Sequence, residues 1–455
     1  MQTKGRYEID MCSGPILPKL LQFALPLMLS GILQLLFNAA DVIVVGRFAG
    51  DNSLGAVGST THLISLLVNL FIGLSVGANI MAARFYGAND RESLHQTVHT
   101  AMLLSVLCGA VLALVGCCFA PTFLGWMQSP DGVRGLATLY LRIYFLGVPA
   151  TLVYNFGAAL LRAAGDTRRP LYFLFAAGIL NVLMNLFLVI VCHLDVAGVA
   201  IATVLSQCVS AVLIVRCLLR DSGGIRLEPR KLHLWPQRLK EILQVGLPAG
   251  LQSVLFAISN VVIQSSINSF GEVIVAAGSA SASISNFVYT AMNAFSQANT
   301  SFTGQNLGAK RYDRIIPVLT RSLACVTVTG LVTGGLAVLF GHELLGIYSD
   351  SPDVIAAGYI SLFIRCAPYF LCGVMEVFVG SLRGLGYSMR TMVISLLGSC
   401  GLRLLWLATV FPIPRFHTIE TVYFSYPFSW GVTALMQAIC FLLVWKRLRR
   451  SWETP

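Results

Sequence analysis

One acidic residue, Asp41, lies inside a long apolar segment near the start of the chain. A charge in the hydrocarbon core of a membrane costs at least ~2.5 kcal/mol on insertion scales, so a carboxylate there is a functional hypothesis by default. Gln34, Asn38 and Asp41 follow one another at i, i+4 and i+7, which places the three side chains on one face of a helix. The pattern predicts a polar site inside a membrane helix.

Two later apolar segments carry polar pairs at the same helical spacing. Asn181 and Asn185 are four residues apart, and Thr203 and Gln207 repeat the spacing. A carboxylate with amide and hydroxyl oxygens offers the hard ligands that a dehydrated alkali cation prefers. A protonated Asp41 hydrogen-bonded to the same amides would serve a proton-coupled protein equally well. In the simplest alternative, the two asparagines and Thr203 only join helices to one another.

Glu376 is the second acidic residue well inside an apolar segment. Arg403 lies in the next such segment, and Arg365 lies eleven residues earlier on nearly the same helix face. Because opposite charges buried in a membrane generally pair, we predict a structural ion pair between Glu376 and Arg403. The alternative is a direct role of Glu376 in binding a substrate or a proton.

Further polar and aromatic residues are candidates for lining a binding cleft. The segment 278–297 is rich in serine and alanine, and small residues of this kind either allow close helix packing or provide adaptable contacts. The sequence does not separate these two roles. The cleft candidates are Gln34, Asn38, Tyr154, Asn155, Gln207, Gln252, Asn260, Tyr289, Met292, Asn293 and Glu376.

The elements that position these residues are membrane helices. The 455 residues are 56% hydrophobic and 11% charged, with a mean hydropathy of +0.76, whereas soluble domains carry about 25% charged residues. About 20 apolar residues cross a bilayer as a helix. Windows of this kind fall at 17–45, 55–83, 96–120, 136–161, 170–193, 196–219, 241–269, 273–303, 315–340, 355–382, 391–412 and 422–445. An all-α integral membrane protein with twelve spans is therefore expected.

The net charge of +11 is distributed in a way that reports on orientation. Most Lys and Arg residues lie before the first window, after the last, or between alternate pairs of windows. The positive-inside rule then predicts a multi-pass protein with both termini in the cytoplasm. A nucleic-acid face would not alternate with hydrophobic helices in this way, so we expect no nucleic-acid partner.

Several local patterns recur about 220 residues apart and in the same order, which indicates an internal repeat. The matching positions are Pro26 with Pro248, Asn38 with Asn260, Gly87 with Gly308, Pro130 with Pro352, and Arg162 with Arg383. The repeat predicts an N-terminal six-helix lobe at 1–219, a cytoplasmic linker at 220–240 and a C-terminal six-helix lobe at 241–455. An even number of spans per repeat relates the lobes by a pseudo-two-fold axis along the membrane normal.

The two repeats differ at the residues that could bind a cation. The position equivalent to Asp41 is Ile263, and those equivalent to the two asparagines are Leu402 and Trp406. Ion chemistry is therefore expected in the first lobe alone. Duplicated lobes around a central cleft suit transport by alternating access better than a static scaffold.

Three other function classes find little support in the sequence. It contains no G-x-x-x-x-G-K-[ST] motif for nucleotide binding. No Cys/His spacing suits a metal, and no paired acid–base constellation suggests an enzyme. We therefore expect neither a metal site nor a cofactor nor catalytic residues.

The segment from Leu25-Pro26 through Asn38-Ala-Ala-Asp41 to Gly46-Arg47 resembles the multidrug and toxic compound extrusion (MATE) transporters. So does Leu161-Arg-Ala-Ala-Gly-Asp-Thr167, with its echo in the second half, and the likeness extends over essentially the whole chain. The resemblance implies twelve helices in two six-helix lobes with an outward-facing cleft. It also implies export of organic cations or other amphipathic toxic compounds in exchange for Na⁺ or H⁺.

The resemblance also assigns roles within the predicted cation site. In the DinF-like bacterial branch, the coupling site is formed by an Asp on the first helix, an Asn and an Asp four apart on the fifth, and a Thr on the sixth. Asp41, Asn181 and Thr203 occupy matching positions, whereas Asn185 stands at the second acidic position. The acidic residue that another branch carries on the seventh helix is also missing, since 250–262 contains no carboxylate.

The leading hypothesis is a secondary antiporter for drug-like compounds in a plasma membrane, the inner membrane of a bacterium, which functions as a monomer. A lipid-linked precursor flippase is the alternative, because related exporters share the repeat design. Such a flippase should line its cleft with several basic residues, and Arg142, Arg365 and Arg403 are the ones available within the spans.

Overall fold

The computed structural model describes residues 7–49, 51–127 and 131–453, and its regular structure in these residues is helical throughout. The first repeat supplies α1 (Ile16–Val44), α2 (Asp51–Ala88), α3 (Arg91–Trp126), α4 (Asp131–Ala163), α5 (Arg168–Leu186) and α6 (Asp195–Leu219). The second repeat supplies α7 (Pro236–Asn268), α8 (Glu272–Gly308), α9 (Ile315–Leu339), α10 (Gly341–Gly346), α11 (Pro352–Cys366), α12 (Phe370–Gly384), α13 (Ser388–Ser395), α14 (Leu402–Thr409) and α15 (Ile419–Glu453).

Eleven helical stretches in the described residues are long and apolar enough to cross a membrane, and the bent pair α11 and α12 can supply a twelfth. The expectation of an all-α membrane fold is therefore confirmed. Most helices run past the apolar windows. For example, α8 extends beyond 273–303 at both ends, because a helix can continue into the polar layers on either side of the hydrocarbon core.

The span formed by α11 and α12 bends by 42° at residues 367–369. Pro368 lies within this break. Proline has no backbone N–H to donate and its ring clashes with the preceding turn, so a helix kinks at this residue. Side chains on opposite sides of the bend consequently do not share one continuous helix face.

Three π-helical segments lie next to polar positions. Val45–Ala49 follows α1 shortly after Asp41, and Phe187–Val191 follows α5 two residues after Asn185. The third segment, Leu396–Gly401, joins α13 to α14 two residues before Arg403. π-Helical turns are rare and occur frequently at functional sites, and each of these three lies within a few residues of a candidate site residue.

The chain groups into two compact units. Unit 1 contains residues 7–11 and Leu29–Gly250, and unit 2 contains Cys12–Met28 and residues 251–453. Both transitions within a helix, at 28/29 in α1 and at 250/251 in α7, come two residues after a proline, Pro26 or Pro248. Unit 1 therefore contains the first part of α7, and unit 2 contains the first part of α1. The boundaries 1–219, 220–240 and 241–455 remain a prediction of how the repeats divide the sequence.

Glycines allow close helix contact within each unit. In unit 1, a Cβ at Gly109 or Gly116 of α3 would collide with Pro149 or Phe145 of α4. In unit 2, Gly330 and Gly373 both face the sulfur of Met292. Close approach of this kind is the main source of helix association in a membrane, where lipid is as apolar as the helix surfaces.

Unit 1 also holds the first described residues of the chain. The backbone N–H of Ile9 donates to the Gly165 carbonyl at 3.2 Å, and the Tyr86 hydroxyl donates to the Glu8 carboxylate at 2.9 Å. Gly165 has a φ of +98°, which an L-residue rarely adopts, and Ile9 packs directly against its Cα. The turn between α4 and α5 is thus shaped to receive this segment.

The segment between the two repeats also packs on unit 1. The backbone N–H of Glu228 donates to Nε2 of His99 at 2.9 Å, and the N–H of Trp235 donates to the Thr100 hydroxyl at 3.3 Å. The indole of Trp235 meets the His99 ring edge-on, with centroids 6.3 Å apart. Residues 228–235 are therefore ordered against the start of α3 and do not form a free linker.

Candidate functional site

Four of the predicted polar residues form one hydrogen-bonded chain inside unit 1. The Asn185 amide donates to the Asp41 carboxylate and also to Oδ1 of Asn181, the latter at 3.3 Å. The Asn181 amide in turn approaches the Thr203 hydroxyl at 3.4 Å. The Thr203 hydroxyl donates to the Val199 carbonyl at 3.0 Å. The structure thus brings together α1, α5 and α6 through Asp41, Asn185, Asn181 and Thr203.

Local packing explains why these helices come close. A Cβ at Gly178 of α5 would overlap the ring of Phe37 in α1, so glycine permits this contact. Gly178, Asn181 and Asn185 follow at i, i+3 and i+7, which places them on the same face of α5. The face that packs on α1 is therefore also the face that carries the amides.

The site has an unused acceptor. Asn185 is fully buried, and its Oδ1 atom has no hydrogen-bond partner among the described residues. A buried polar atom without a partner costs roughly 1–3 kcal/mol. A bound cation would offset this cost, because amide oxygen is a suitable hard ligand. Together with the carboxylate of Asp41 and the oxygens of Asn181 and Thr203, the site has the donor chemistry for Na⁺, and its carboxylate can instead carry a proton.

Three further polar residues that the sequence places on the same helices are not part of this hydrogen-bonded group. Gln34 and Asn38 are exposed on the surface of unit 1, and no hydrogen bond in the described structure joins their side chains to Asp41. Gln207 is half-buried one turn beyond Thr203, and its side chain is also outside the chain of hydrogen bonds. The helical spacing predicted a shared helix face for these residues, but it did not predict which side chains would form hydrogen bonds across helices.

Two tyrosines that the sequence interpretation missed lie near the site. Tyr140 and Tyr144 of α4 stack with ring centroids 6.1 Å apart, and both interact electrostatically with Asp41. Their i, i+4 spacing on one helix face was the signal that could have identified them. They bring a fourth helix, α4, close to the carboxylate.

In unit 2, Glu376 does not form the predicted ion pair with Arg403. The charged group that acts on Glu376 is Arg383, seven residues later on the same helix, and Tyr289 interacts with both. Arg383 also donates through Nη2 to Oε1 of Gln252 at 2.8 Å. Gln252, Tyr289 and Glu376 are therefore brought together around Arg383.

Arg403 instead has uncharged partners. Its Nε donates to the Ser429 hydroxyl at 2.8 Å, and its guanidinium lies 4.3 Å from the ring centroid of Tyr426. A cation over an aromatic face is stabilised by the ring quadrupole. Arg383 thus interacts with Glu376, whereas Arg403 packs against aromatic residues of α15.

The remaining cleft candidates have more ordinary surroundings. Tyr154 is buried and its hydroxyl donates to the Pro170 carbonyl at 3.0 Å, while the Asn155 amide donates within its own helix to Thr151 at 2.8 Å. Met292 is buried, Asn293 is half-buried and Asn260 is exposed. None of these is joined to the Asp41 chain or to Arg383 by a hydrogen bond in the described residues.

Comparison with known proteins agrees with the repeat and the fold. The MatE family model matches residues 26–187 and again residues 248–407. The probable multidrug resistance protein YoeA of Bacillus subtilis is 26% identical over 93% of this chain and 93% of that protein. The FAD transporter of Shewanella oneidensis is 25% identical over 87% of this chain and 88% of that protein.

A solved structure shares the fold. The crystal structure of MATE in complex with MaL6 superposes with a TM-score of 0.91 at 21% identity, covering 97% of this chain and 98% of the other. The tandem family matches occupy most of both repeats and confirm the duplication. The chain therefore belongs to the MatE family of multidrug and toxic compound extrusion transporters.

Proposed function

We propose that this chain exports amphipathic drug-like compounds, organic cations among them, in exchange for Na⁺ or H⁺ bound at Asp41. The observation that carries the proposal is the chain of hydrogen bonds from Thr203 through Asn181 and Asn185 to Asp41, with the unpartnered Oδ1 of Asn185 beside it. Such a group of oxygens is poorly satisfied without a cation or a proton. Occupancy by the ion therefore changes the free energy of the conformation that contains it.

Coupling follows if the ion and the substrate favour different conformations. Each ligand then lowers the affinity for the other by the same factor, because the linkage between two binding equilibria is reciprocal. Inward movement of the ion thereby drives outward movement of the substrate. The ion need not touch the substrate for this mechanism to operate.

The residues at the site support the DinF-like branch, with one departure. Asp41, Asn181 and Thr203 match the pattern of that branch, whereas Asn185 replaces an acid. Asp41 is then the one carboxylate of the hydrogen-bonded chain among the described residues. We expect one coupling ion per cycle at this site.

We also propose a monomer in the plasma membrane, or in a bacterium its inner membrane, with both termini in the cytoplasm. The charge distribution of the sequence supports this orientation, since most basic residues lie between alternate pairs of spans. Cysteine-accessibility labelling of an introduced site near residue 230 would test it.

The decisive experiment is dye efflux from proteoliposomes under an imposed Na⁺ gradient and, separately, an imposed pH gradient. We expect one of the two gradients to drive efflux in the wild type. Asp41→Asn should abolish that efflux while the protein still inserts into the membrane. Asp195→Asn is the matched control, because Asp195 is exposed at the start of α6 and lies outside the hydrogen-bonded chain. Ion-driven efflux by Asp41→Asn at the wild-type rate would refute the proposal.

A further inference from the structure

We infer that Arg365 and Arg403 in unit 2 form a binding site for the anionic group of an amphipathic substrate. The inference rests on the proposed transport function and adds a ligand class to it. The group recognised is a carboxylate, sulfonate or phosphate attached to an aromatic or otherwise apolar body. The site is separate from the Asp41 chain, which lies in unit 1.

Both arginines are held in place by serine hydroxyls. Arg365 donates through Nη2 to Ser281 at 2.7 Å and to Ser361 at 2.8 Å, while Arg403 donates through Nε to Ser429 at 2.8 Å. These partners orient the guanidinium groups without neutralising them. Each arginine therefore keeps its full positive charge and has further N–H donors to offer.

The two guanidinium groups meet at one aromatic ring. Their Cζ atoms lie 5.8 Å (Arg365) and 4.3 Å (Arg403) from the ring centroid of Tyr426. Arg365 also lies 5.3 Å from Tyr423, and Arg403 lies 5.8 Å from Trp430. Two cations are thus neighbours within a small group of aromatic side chains.

This pair of charges has no counter-ion among the described residues. In the part of the chain that the structure describes, no carboxylate forms an ion pair with either arginine, and Glu376 interacts with Arg383 instead. Two like charges inside a membrane protein repel, and each is costly in a low-dielectric setting. Cation–π contacts offset only part of this cost. An anion bound by both guanidinium groups would offset the remaining cost.

Arg365 is the accessible member of the pair. Arg365 and Tyr426 are half-buried, whereas Arg403 is only 5% exposed. Arg365 is the second-last residue of α11, directly before the 42° bend, so it lies within the span and away from its ends. A guanidinium at this depth faces protein or a water-filled cavity and avoids lipid tails. The exposed part of Arg365 is therefore where we expect a ligand to make its first contact with the pair.

The two arginines and the aromatic rings around them indicate what kind of ligand binds. A guanidinium presents a planar fork of N–H donors that matches a carboxylate or phosphate in a bidentate manner. The rings of Tyr423, Tyr426 and Trp430 offer faces against which an aromatic body can stack. A ligand with both parts uses the whole group, whereas a purely cationic compound would be repelled by it.

Matched probes test the inference on the purified full-length protein. Pyrenebutyrate carries an aromatic body and a carboxylate, and its amide has nearly the same shape without the charge. Calorimetric titration should show the wild type binding the carboxylate about tenfold more tightly than the amide, or better. Arg365→Gln and Arg403→Gln should each weaken carboxylate binding about tenfold, since a hydrogen bond to a charged group contributes on this scale. Amide binding should change less than twofold.

Arg390→Gln is the control variant, because the exposed Arg390 also lies over an aromatic ring, that of Tyr387 at 4.9 Å, but outside this group. It should bind both probes as the wild type does. Equal affinity of the wild type for the two probes would overturn the inference, and this comparison requires no variant to fold. Equal loss of both probes in the arginine variants, with the fold retained, would also overturn it.

Repeating the titration with phosphatidylglycerol in the micelles distinguishes the source of the anion. Competition that disappears in Arg365→Gln would show a lipid phosphate in the same site, and unchanged affinity would leave a soluble compound as the ligand. Either result upholds an anion site. Because binding is measured without a gradient, failure of ion-driven efflux would remove the proposed coupling and leave this result standing.

Discussion

The side-chain amide of Asn185 donates a hydrogen bond to the carboxylate of Asp41, 144 residues earlier in the chain. The same amide group also reaches Asn181, so one asparagine holds the acid and extends the chain of polar groups towards α6. An acidic residue at position 185 would compete with Asp41 for protons and cations. An asparagine instead fixes the orientation of the acid and leaves it as the charged ligand.

Replacing Asn185 with leucine should therefore reduce ion-driven efflux by about tenfold or more, because the variant loses both the donor to Asp41 and the free Oδ1. The measurement is the initial efflux rate over a range of coupling-ion concentrations. Asn155→Leu is the control, since among the described residues the Asn155 amide donates within its own helix, to the Thr151 carbonyl. A wild-type concentration dependence for Asn185→Leu would contradict the assigned role of Asn185.

Substitution at the contact between α1 and α5 should also impair the site. Gly178→Ala places a methyl group against the Phe37 ring, and overpacking of this kind costs about 1–3 kcal/mol. We expect a lower melting temperature together with a weaker apparent affinity for the coupling ion. Gly58→Ala in α2, where the added carbon has nothing within 4 Å, should leave both unchanged. If both variants behave alike, the contact does not position the site.

The hydrogen bond from the Glu228 N–H determines the tautomer of His99. A backbone N–H can only donate, so Nε2 accepts, and Nδ1 then carries the proton that it gives to the His95 carbonyl at 2.7 Å. Leucine at position 99 cannot accept this bond and should release residues 228–235. We expect faster tryptic cleavage after Arg230 and Lys231.

His342 provides the comparison for this experiment. Its ring stacks on Tyr359 with centroids 4.2 Å apart, far along the chain from the linker. His342→Leu should be cleaved at the wild-type rate. Cleavage of His99→Leu no faster than this control would mean that Trp235 alone holds the segment.

Asp166 should stabilise unit 1 strongly. It is fully buried, accepts the backbone N–H groups of Arg168 and Arg169 at 3.0 and 3.1 Å, and pairs with the Arg169 side chain. Removing one partner of a buried pair costs about 3–5 kcal/mol. Asp166→Ala should thus lower the melting temperature of the purified protein by several degrees.

Asp90, which is exposed, is the comparison for the stability loss expected in Asp166→Ala. Its carboxylate accepts the Ser93 N–H at the start of α3, and this hydrogen bond holds its pKa below the usual range. Losing such a helix cap typically costs about 1 kcal/mol, so Asp90→Ala should have a visibly smaller effect. An Asp166→Ala protein as stable as Asp90→Ala would indicate that water already screens the Asp166 pair.

Much of the architecture followed from composition and periodicity. Apolar windows located the spans, because a helix must be apolar over its whole membrane length. The spacing of Asn181 and Asn185 on α5 placed both amides towards one neighbour, and Thr203 met them from α6. Helical spacing is reliable for residues on one uninterrupted helix, and it was most informative there.

The same reasoning failed where a helix breaks or a contact is long-range. Arg365 precedes the bend at Pro368, so its predicted face does not continue to Glu376. Arg383 lies one residue beyond the predicted window 355–382, although its i+7 spacing from Glu376 on one helix was a usable signal. The packing of residues 228–235 on α3 depends on tertiary contacts that no local pattern encodes.

The exchange of helix ends at 28/29 and 250/251 has a consequence for biogenesis. Unit 1 needs residues up to Gly250, and unit 2 needs Cys12–Met28 from the first part of the nascent chain. A ribosome that has released only the first repeat into the bilayer has therefore produced neither unit in full. Completion of unit 1 therefore requires translation of the first part of α7, and completion of unit 2 uses a helix segment, Cys12–Met28, that is synthesised before the rest of that unit.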